Sequence, residues 1–434
     1  MVRIHRATPS AAARTPLTPE QIRGFLASWG GWALDGMDSF IYALVLVPAL
    51  KELLPLSGVT PTPANLGYYG GLLFALFLIG WGFAALWGPI GDRFGRVRTL
   101  MLTILCYSLF TFLGAVAANV WQLAAFRLLA GVGIGGEWAL GGILVAEALP
   151  EDRRKTGATL MHTGYYVGIF LAGALNYLVG AHYGWRAMFA LGGAPALLVG
   201  FIRAGVHEPE KWKQRAGQAR GLLRPMLDLF SPALRRRTWL NSLYLLISMT
   251  GLWAGSVYVP SSVTYLATRA GYRPDDAARL ASWATMLLSA ATIAGCLAAA
   301  PLAERYGRRA ALGLYFAVMF VSISAGFGWS YYLAANALPW FFLSLALLGF
   351  GGANFAVYTL WLPEQYPTGC RASAFAFATS AGRFVAAGVT FLVGSAVSHY
   401  QTIGTPVAWT SIAFLIGLLV LPYGVETKGQ PLPE

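Results

Sequence analysis

Residues 91–98 read GDRFGRVR, and residues 303–309 read AERYGRR. Asp92, Arg93, Gly95 and Arg96 of the first stretch are matched by Glu304, Arg305, Gly307 and Arg308 of the second. Each stretch lies between two long apolar runs, so one half of the chain repeats the other. An apolar segment of about 20 residues is long enough to cross a bilayer. Working outward from the two loops, about twelve such segments follow, near 24–50, 67–90, 99–118, 121–147, 157–180, 185–205, 239–267, 278–302, 310–330, 338–362, 372–398 and 405–424. The expected organisation is a tail at 1–23, a six-helix bundle over 24–205, a polar linker at 206–238, a second six-helix bundle over 239–424 and a tail at 425–434.

Composition supports an all-α integral membrane protein. Hydrophobic residues make up 57% of the 434 positions and charged residues 11%, against about 25% charged in an average soluble domain. So few charges cannot cover a water-exposed surface. The net charge of +13 raises the possibility of a nucleic-acid partner, but the basic residues are not gathered into a patch. They fall on alternate loops: Arg3 to Arg23, Arg93 to Arg98, Arg153 to Lys155, and the linker with Arg235, Arg236 and Arg237. This is the positive-inside pattern that orients membrane proteins. It predicts two cytoplasmic termini in a bacterial inner membrane and calls for no nucleic acid. The first 20 residues have no apolar core and do not read as a secretory signal. Cys106, Cys296 and Cys370 are too few for a disulfide framework.

The first loop, counted from Gly88, resembles the G-x-x-x-D-R-x-G-R-R/K connection between helices 2 and 3 of the major facilitator superfamily. The stretch RLLAGVGIGGEW at 127–138 is similar to the R-x-x-x-G-x-G-x-G pattern of helix 4 in that superfamily. Glu147, Pro150 and Arg154 recur at a constant offset as Glu364, Pro367 and Arg371. HEPEKW at 207–212 and VETKGQPLP at 425–433 resemble the segments that follow helices 6 and 12 in sugar porters and their relatives. The resemblance implies twelve transmembrane helices in two pseudo-symmetric bundles, sufficient as a monomer, moving solute by alternating access. In that setting Asp92, Arg93, Arg96, Glu304, Arg305, Arg308, Glu147 and Glu364 are gate candidates. Acids at helix ends face the positive N-termini of neighbouring helices, and arginines beside them can pair with carboxylates as the halves rock.

Function is sought where charge is costly, because an ionisable group inside a membrane usually faces a cavity or a partner. The first apolar run carries LDGMD at 34–38, which puts Asp35 and Asp38 on one helical face. Two carboxylates in low dielectric repel and both lose hydration, so the pair suits proton uptake and release. Glu137 is a further proton-coupling candidate on the fourth run. Its distance of ten residues from Arg127, about 15 Å along a helix, argues against a direct pair. The D-G-x-D sequence resembles the aromatic acid:proton symporters and the sialate:proton symporters, lactate and sialic acid permeases among them, and implies uptake of an organic acid anion with protons. Arg127 and Arg383, deep in their runs, are candidates to hold the carboxylate, with Arg127 alternatively a partner for Asp35 or Asp38. Asn176, Asn241, Asn354 and Tyr358 are candidate cavity donors, or else helix fasteners. His162 reads as a titratable group or a polar interfacial residue. Trp253, Tyr258, Phe355 and Trp361 read as an aromatic pocket or as ordinary packing.

These residues predict a transporter rather than an enzyme. The sequence offers no metal-ligand cluster, nucleotide loop or nucleophile–base spacing, and no cofactor is expected beyond the proton gradient. The partners expected are an organic acid anion such as a monocarboxylate or aromatic acid, protons and the lipid bilayer. Sugar or polyol uptake is the first alternative, but the seventh run, WLNSLYLLISMTGLWAGSVYVP at 239–260, lacks the Gln-Gln pair with which sugar porters bind hydroxyls. Drug or metabolite export is the second, and GIFLAGALNYLVG at 168–180 lacks the Gly-Pro kink of the superfamily's antiporters.

Overall fold

The computed structural model describes residues 15–87, 90, 94–208, 224–367, 370–430 and 433. Among them the chain is helical throughout, in twelve successive spans arranged as two six-helix bundles. The first span is Pro19–Leu56, the second Pro63–Gly82, the third Arg96–Gly114, the fourth Val120–Ala148 and the fifth Glu151–Leu175, which runs on through a wide turn at Asn176–Gly180. The eighth is Pro274–Tyr306, the ninth Arg308–Ile323 with a wide turn at Ser324–Trp329, and the eleventh Arg371–Tyr400. The first span begins on a reciprocal cap: the amide of Gln21 donates to Thr18 Oγ1 at 3.3 Å and the amide of Thr18 to Gln21 Oε1 at 3.0 Å, with Pro19 at the first helical position.

Among the described residues, ten helical tracts are long and apolar enough to cross a membrane as they stand. The sixth and seventh spans, expected to be continuous, are each broken. The sixth begins after Gly184, whose φ of 80° breaks the stretch Ala181–Leu191 and turns the chain back from the fifth span, and it continues as Ala196–Gly205. Tight turns join its two parts, Gly193 N–H bonding Ala190 O and Ala194 N–H bonding Leu191 O, and Pro195 has no amide to carry the helix on. The seventh is Arg235–Ser256 and Val259–Arg269, interrupted just ahead of Pro260, whose missing N–H leaves the Ser256 carbonyl without its helical donor. The tenth is divided in the same way into Ala337–Gly352 and Asn354–Trp361, and the twelfth into Gly404–Trp409 and Ser411–Val420.

With an even number of spans, the chain near its two ends, at Thr15 and Gln430, reaches one face of the molecule, which also carries the described parts of the repeated loops. At the opposite face the two bundles meet along two seams. In the first, the second span crosses the eleventh so closely that a Cβ on Gly71 would stand 2.8 Å from the Cα of Gly394. In the second, Asn176 Nδ2 of the fifth span donates to Ser282 Oγ of the eighth at 2.9 Å, and Ser289 Oγ donates to the Tyr166 carbonyl. Small residues permit this backbone approach in a membrane, where water-driven burial is absent.

Candidate functional site

The first span buries the polar residues of its middle stretch, Ser28, Asp35, Asp38 and Ser39. Asp35 and Asp38 are both 0% exposed. Asp38 Oδ2 stands 3.7 Å from Arg127 Nη1, so of the two acids it is Asp38 that partners this guanidinium. Arg127 is held between two rings, its Cζ 4.3 Å from the centre of Phe77 and 4.8 Å from that of Tyr42. Such stacking offsets part of the cost of a buried cation.

Asp35, one helical turn earlier, lies within electrostatic range of a different set of groups, Glu137, Tyr107 and Arg383, and neither of its oxygens has a hydrogen-bond partner among the described residues. Glu137 reaches the first span because Gly31 has no side chain. Its Oε1 occupies the space a Gly31 Cβ would need, and its Oε2 lies 3.5 Å from the Thr103 hydroxyl. Glu137 and Arg127 therefore serve opposite ends of the same stretch of the first span.

Beside Asp35 lies a cavity between the two bundles. Trp32, Trp81, His162, Tyr165 and Tyr166 line it from one bundle, and Met249, Leu252, Trp253, Phe355 and Arg383 from the other. The Cζ of Arg383 sits 4.5 Å from the centre of the Trp81 ring. Trp32 packs on Tyr165 at 4.9 Å between centroids, and Trp81 on Trp253 at 5.4 Å. Of the aromatic residues singled out in sequence, Trp253 and Phe355 line the cavity. Trp361 instead stacks on Tyr244 and donates its indole N–H to the Val425 carbonyl at 2.8 Å. Trp32, Trp81 and Tyr165 gave no separate signal, except that Trp32 precedes Asp35 by three residues and so shares its face.

Three of the four polar candidates, Asn176, Asn241 and Tyr358, hold helices together, while Asn354 bonds within its own span and its Oδ1 has no partner among the described residues. Asn354 Nδ2 donates to the Gly351 carbonyl at the break in the tenth span. Tyr358 donates to the Tyr244 carbonyl at 2.9 Å and lies 2.9 Å from Ser248 Oγ. Asn241 Nδ2 bonds Gln365 Oε1 and the Tyr366 hydroxyl, both at 3.1 Å. Asn176 belongs to the seam with Ser282.

At the terminus-bearing face, Asp92 and Arg93 lie outside the described residues, as does the side chain of Glu147. Where the repeated loop is described, each copy ends on a glycine with positive φ, Gly95 at 110° and Gly307 at 96°. An acid from the end of the same bundle then caps the next helix. Glu208 accepts the amides of Arg96 at 2.8 Å, Val97 at 3.0 Å and Arg98 at 3.2 Å. Glu426 accepts those of Arg308 at 2.9 Å and Arg309 at 3.1 Å. Burial pushes the Glu426 carboxyl up, but four backbone N–H donors outweigh it and hold the group below its ordinary range. The Arg308 guanidinium grips Glu364 through two bonds of 3.0 and 2.7 Å, and Glu364 also accepts the Thr427 hydroxyl at 2.5 Å. Arg305 lies over Tyr306 and its carbonyl accepts Lys428 Nζ, while Glu304 is exposed. These pairs tie helices within one bundle. They do not bridge the two.

Residues 29–278 match the family described as Major Facilitator Superfamily. The chain is 30% identical to a probable 4-methylmuconolactone transporter of Cupriavidus pinatubonensis, with 95% of this chain and 92% of the relative covered. It is 28% identical to the niacin transporter NiaP of Acinetobacter baylyi, with 93% of each covered. Among solved structures, the xylose transporter XylE from E. coli, in a partially occluded inward open conformation, superposes with a TM-score of 0.73 at 18% identity, covering 96% of this chain and 100% of that one. At that identity the likeness speaks for the fold alone.

Proposed function

The chain belongs to the Major Facilitator Superfamily, and on that premise we propose that it takes up a small organic acid anion, best an aromatic carboxylate, together with a proton. The central site would face each side of the membrane in turn. One observation carries this reading: Arg383 is buried in the wall of an aromatic cavity, within electrostatic range of Asp35. A guanidinium holds a carboxylate through two parallel hydrogen bonds, and the rings of Trp81, Tyr165 and Trp253 suit a flat apolar body. The niacin carrier among the relatives supports the same substrate class.

Coupling follows from competition. While Asp35 is an anion, it and a substrate carboxylate draw on the same positive field. A proton on Asp35 ends that competition and admits the anion; by linkage the bound anion strengthens proton binding in equal measure. Three buried carboxylates, Asp35, Asp38 and Glu137, stand against two buried guanidiniums, Arg127 and Arg383. One resident proton neutralises the empty cluster, and each arriving monovalent anion calls for one more. One proton per anion moves no net charge, so uptake answers to the pH gradient and not to voltage.

The face bearing both termini is the cytoplasmic one in this reading, on the strength of its arginines. A neutral sugar fits the site less well. It would bring no charge to the Arg383 guanidinium, and the amides of Asn176 and Asn241 are engaged elsewhere.

The test is uptake by proteoliposomes with an acidified exterior, supplied with labelled benzoate, nicotinate, lactate or xylose. Benzoate and nicotinate should accumulate under a pH gradient and not under a potassium diffusion potential alone. Accumulation of xylose only would overturn the proposal.

A further inference from the structure

One residue in the cavity wall has no part in that mechanism. His162, on the fifth span, is 6% exposed, and its Nε2 has no hydrogen-bond partner among the described residues. Its ring meets Tyr166 edge-on at 5.9 Å. From there a row of rings continues, Tyr166 to Tyr165 at 5.7 Å and Tyr165 to Trp81 at 6.2 Å, and ends at the Arg383 guanidinium 4.5 Å from Trp81. His162 and Arg383 thus stand at opposite ends of one aromatic row, both lining the same cavity.

Buried polar atoms are almost always satisfied. In this wall Trp81 Nε1 and the Tyr165 hydroxyl share the condition of His162 Nε2, and a cavity supplies such atoms with a partner that is not part of the chain, water or a bound solute. A metal ion would need several ligands, and no group of His, Cys, Asp or Glu among the described residues could hold one. Water meets that atom in the empty cavity, and a substrate atom takes its place in the occupied one. A carboxylate is already matched by Arg383, so the atom near His162 belongs to the far edge of the ring. A hydroxyl both donates and accepts, and so satisfies either tautomer of a neutral imidazole.

We propose that His162 selects for a ring hydroxyl: with the carboxylate on Arg383 and the ring among Trp81, Tyr165 and Tyr166, a hydroxyl at the opposite edge hydrogen-bonds Nε2. Hydroxylated aromatic carboxylates are thereby preferred to their unsubstituted parents, which leave the imidazole unmatched. The inference rests on the aromatic-acid reading above.

The experiment uses the full chain in proteoliposomes and measures the apparent affinities for benzoate, 3-hydroxybenzoate and 4-hydroxybenzoate by mutual competition. One neutral hydrogen bond corresponds to a preference of up to about tenfold. Wild type should favour one hydroxybenzoate by about that factor. In His162→Phe the ratio should fall to about one, whatever the rate of uptake, and His162→Gln, which supplies both a donor and an acceptor, should restore part of it. Should His162→Phe fail to reach the membrane, the ratio is read from quenching of tryptophan fluorescence in purified His162→Ala. A wild type that handles none of the three acids overturns the earlier reading and this one with it. A wild type that handles them without preference, or with a preference that His162→Phe and His162→Ala leave intact, overturns this inference alone.

Discussion

Glu137 occupies the space that a side chain on Gly31 would fill: its Oε1 lies where the Cβ would be, and the two residues belong to different helices of the same bundle. A methyl group at position 31 would therefore push the carboxylate away from Asp35. Overpacking of this kind costs about 1–3 kcal/mol. Gly31→Ala should lower the melting temperature of the purified protein and abolish gradient-driven uptake, and Glu137→Asp, one methylene shorter, should recover stability in the double variant. Normal melting of Gly31→Ala would refute the contact.

Asp35→Asn places a neutral group in front of Arg383 and so imitates the protonated site. Exchange of labelled for unlabelled substrate should persist, because the anion still has Arg383. Accumulation against a gradient should be lost. Concentrative uptake by Asp35→Asn under an imposed pH gradient would remove Asp35 from the proton pathway.

Asp38→Asn differs in kind, because it leaves the buried Arg127 without its carboxylate. Breaking a buried pair by removing one partner costs about 3–5 kcal/mol. Asp38→Asn should therefore melt well below Asp35→Asn. Pairing it with Arg127→Gln should recover most of that loss without recovering transport. Equal melting temperatures for Asp35→Asn and Asp38→Asn would contradict the pairing.

Arg383→Gln keeps size and polarity but removes the charge. A hydrogen bond to a charged group is worth about 1.5–3 kcal/mol, so the apparent affinity for a carboxylate should fall by roughly 10–150-fold. Binding can be followed by fluorescence, because Trp81 lies directly under the guanidinium. An unchanged affinity would place the carboxylate elsewhere.

Glu426 makes a prediction about pH. Its carboxyl is held below its ordinary range by backbone donors, so the stabilisation is present above the unfolded carboxyl range and lost as pH falls through the folded value. The melting temperature of wild type should stay level through neutral and mildly acidic pH and fall only in strong acid. Glu426→Gln should lie below wild type in the first range, and the two should converge in the second. A constant difference at every pH would remove the carboxylate charge as the cause.

The fold was legible because a twofold repeat of polar loops between apolar runs admits few arrangements. The breaks in the sixth and seventh spans were harder to foresee, since Pro195 and Pro260 sit in runs whose hydropathy alone suggests continuity. The acids and arginines of the site stood out because a charge inside an apolar run is costly to bury and persists there for a partner or a cavity. The aromatic wall did not, since 14% of the chain is aromatic and nothing local separates Trp81 or Tyr165 from residues that merely pack. Asn241 and Tyr358 illustrate the converse: a polar group that fastens two helices reads the same in sequence as one that meets a solute. The capping by Glu208 and Glu426 depends on contacts more than a hundred residues apart, beyond the reach of any local pattern.

The crossing of Gly71 over Gly394 carries a cost for variation at those two positions. Because the backbones themselves touch, neither neighbour can retract to admit even a methyl group, and at the crossing itself there is no side chain to repack. Substitution there would bias the protein toward the conformation in which these helices part. The pair is therefore a place where a single methyl group could shift the balance between the two orientations of the carrier without altering what it binds.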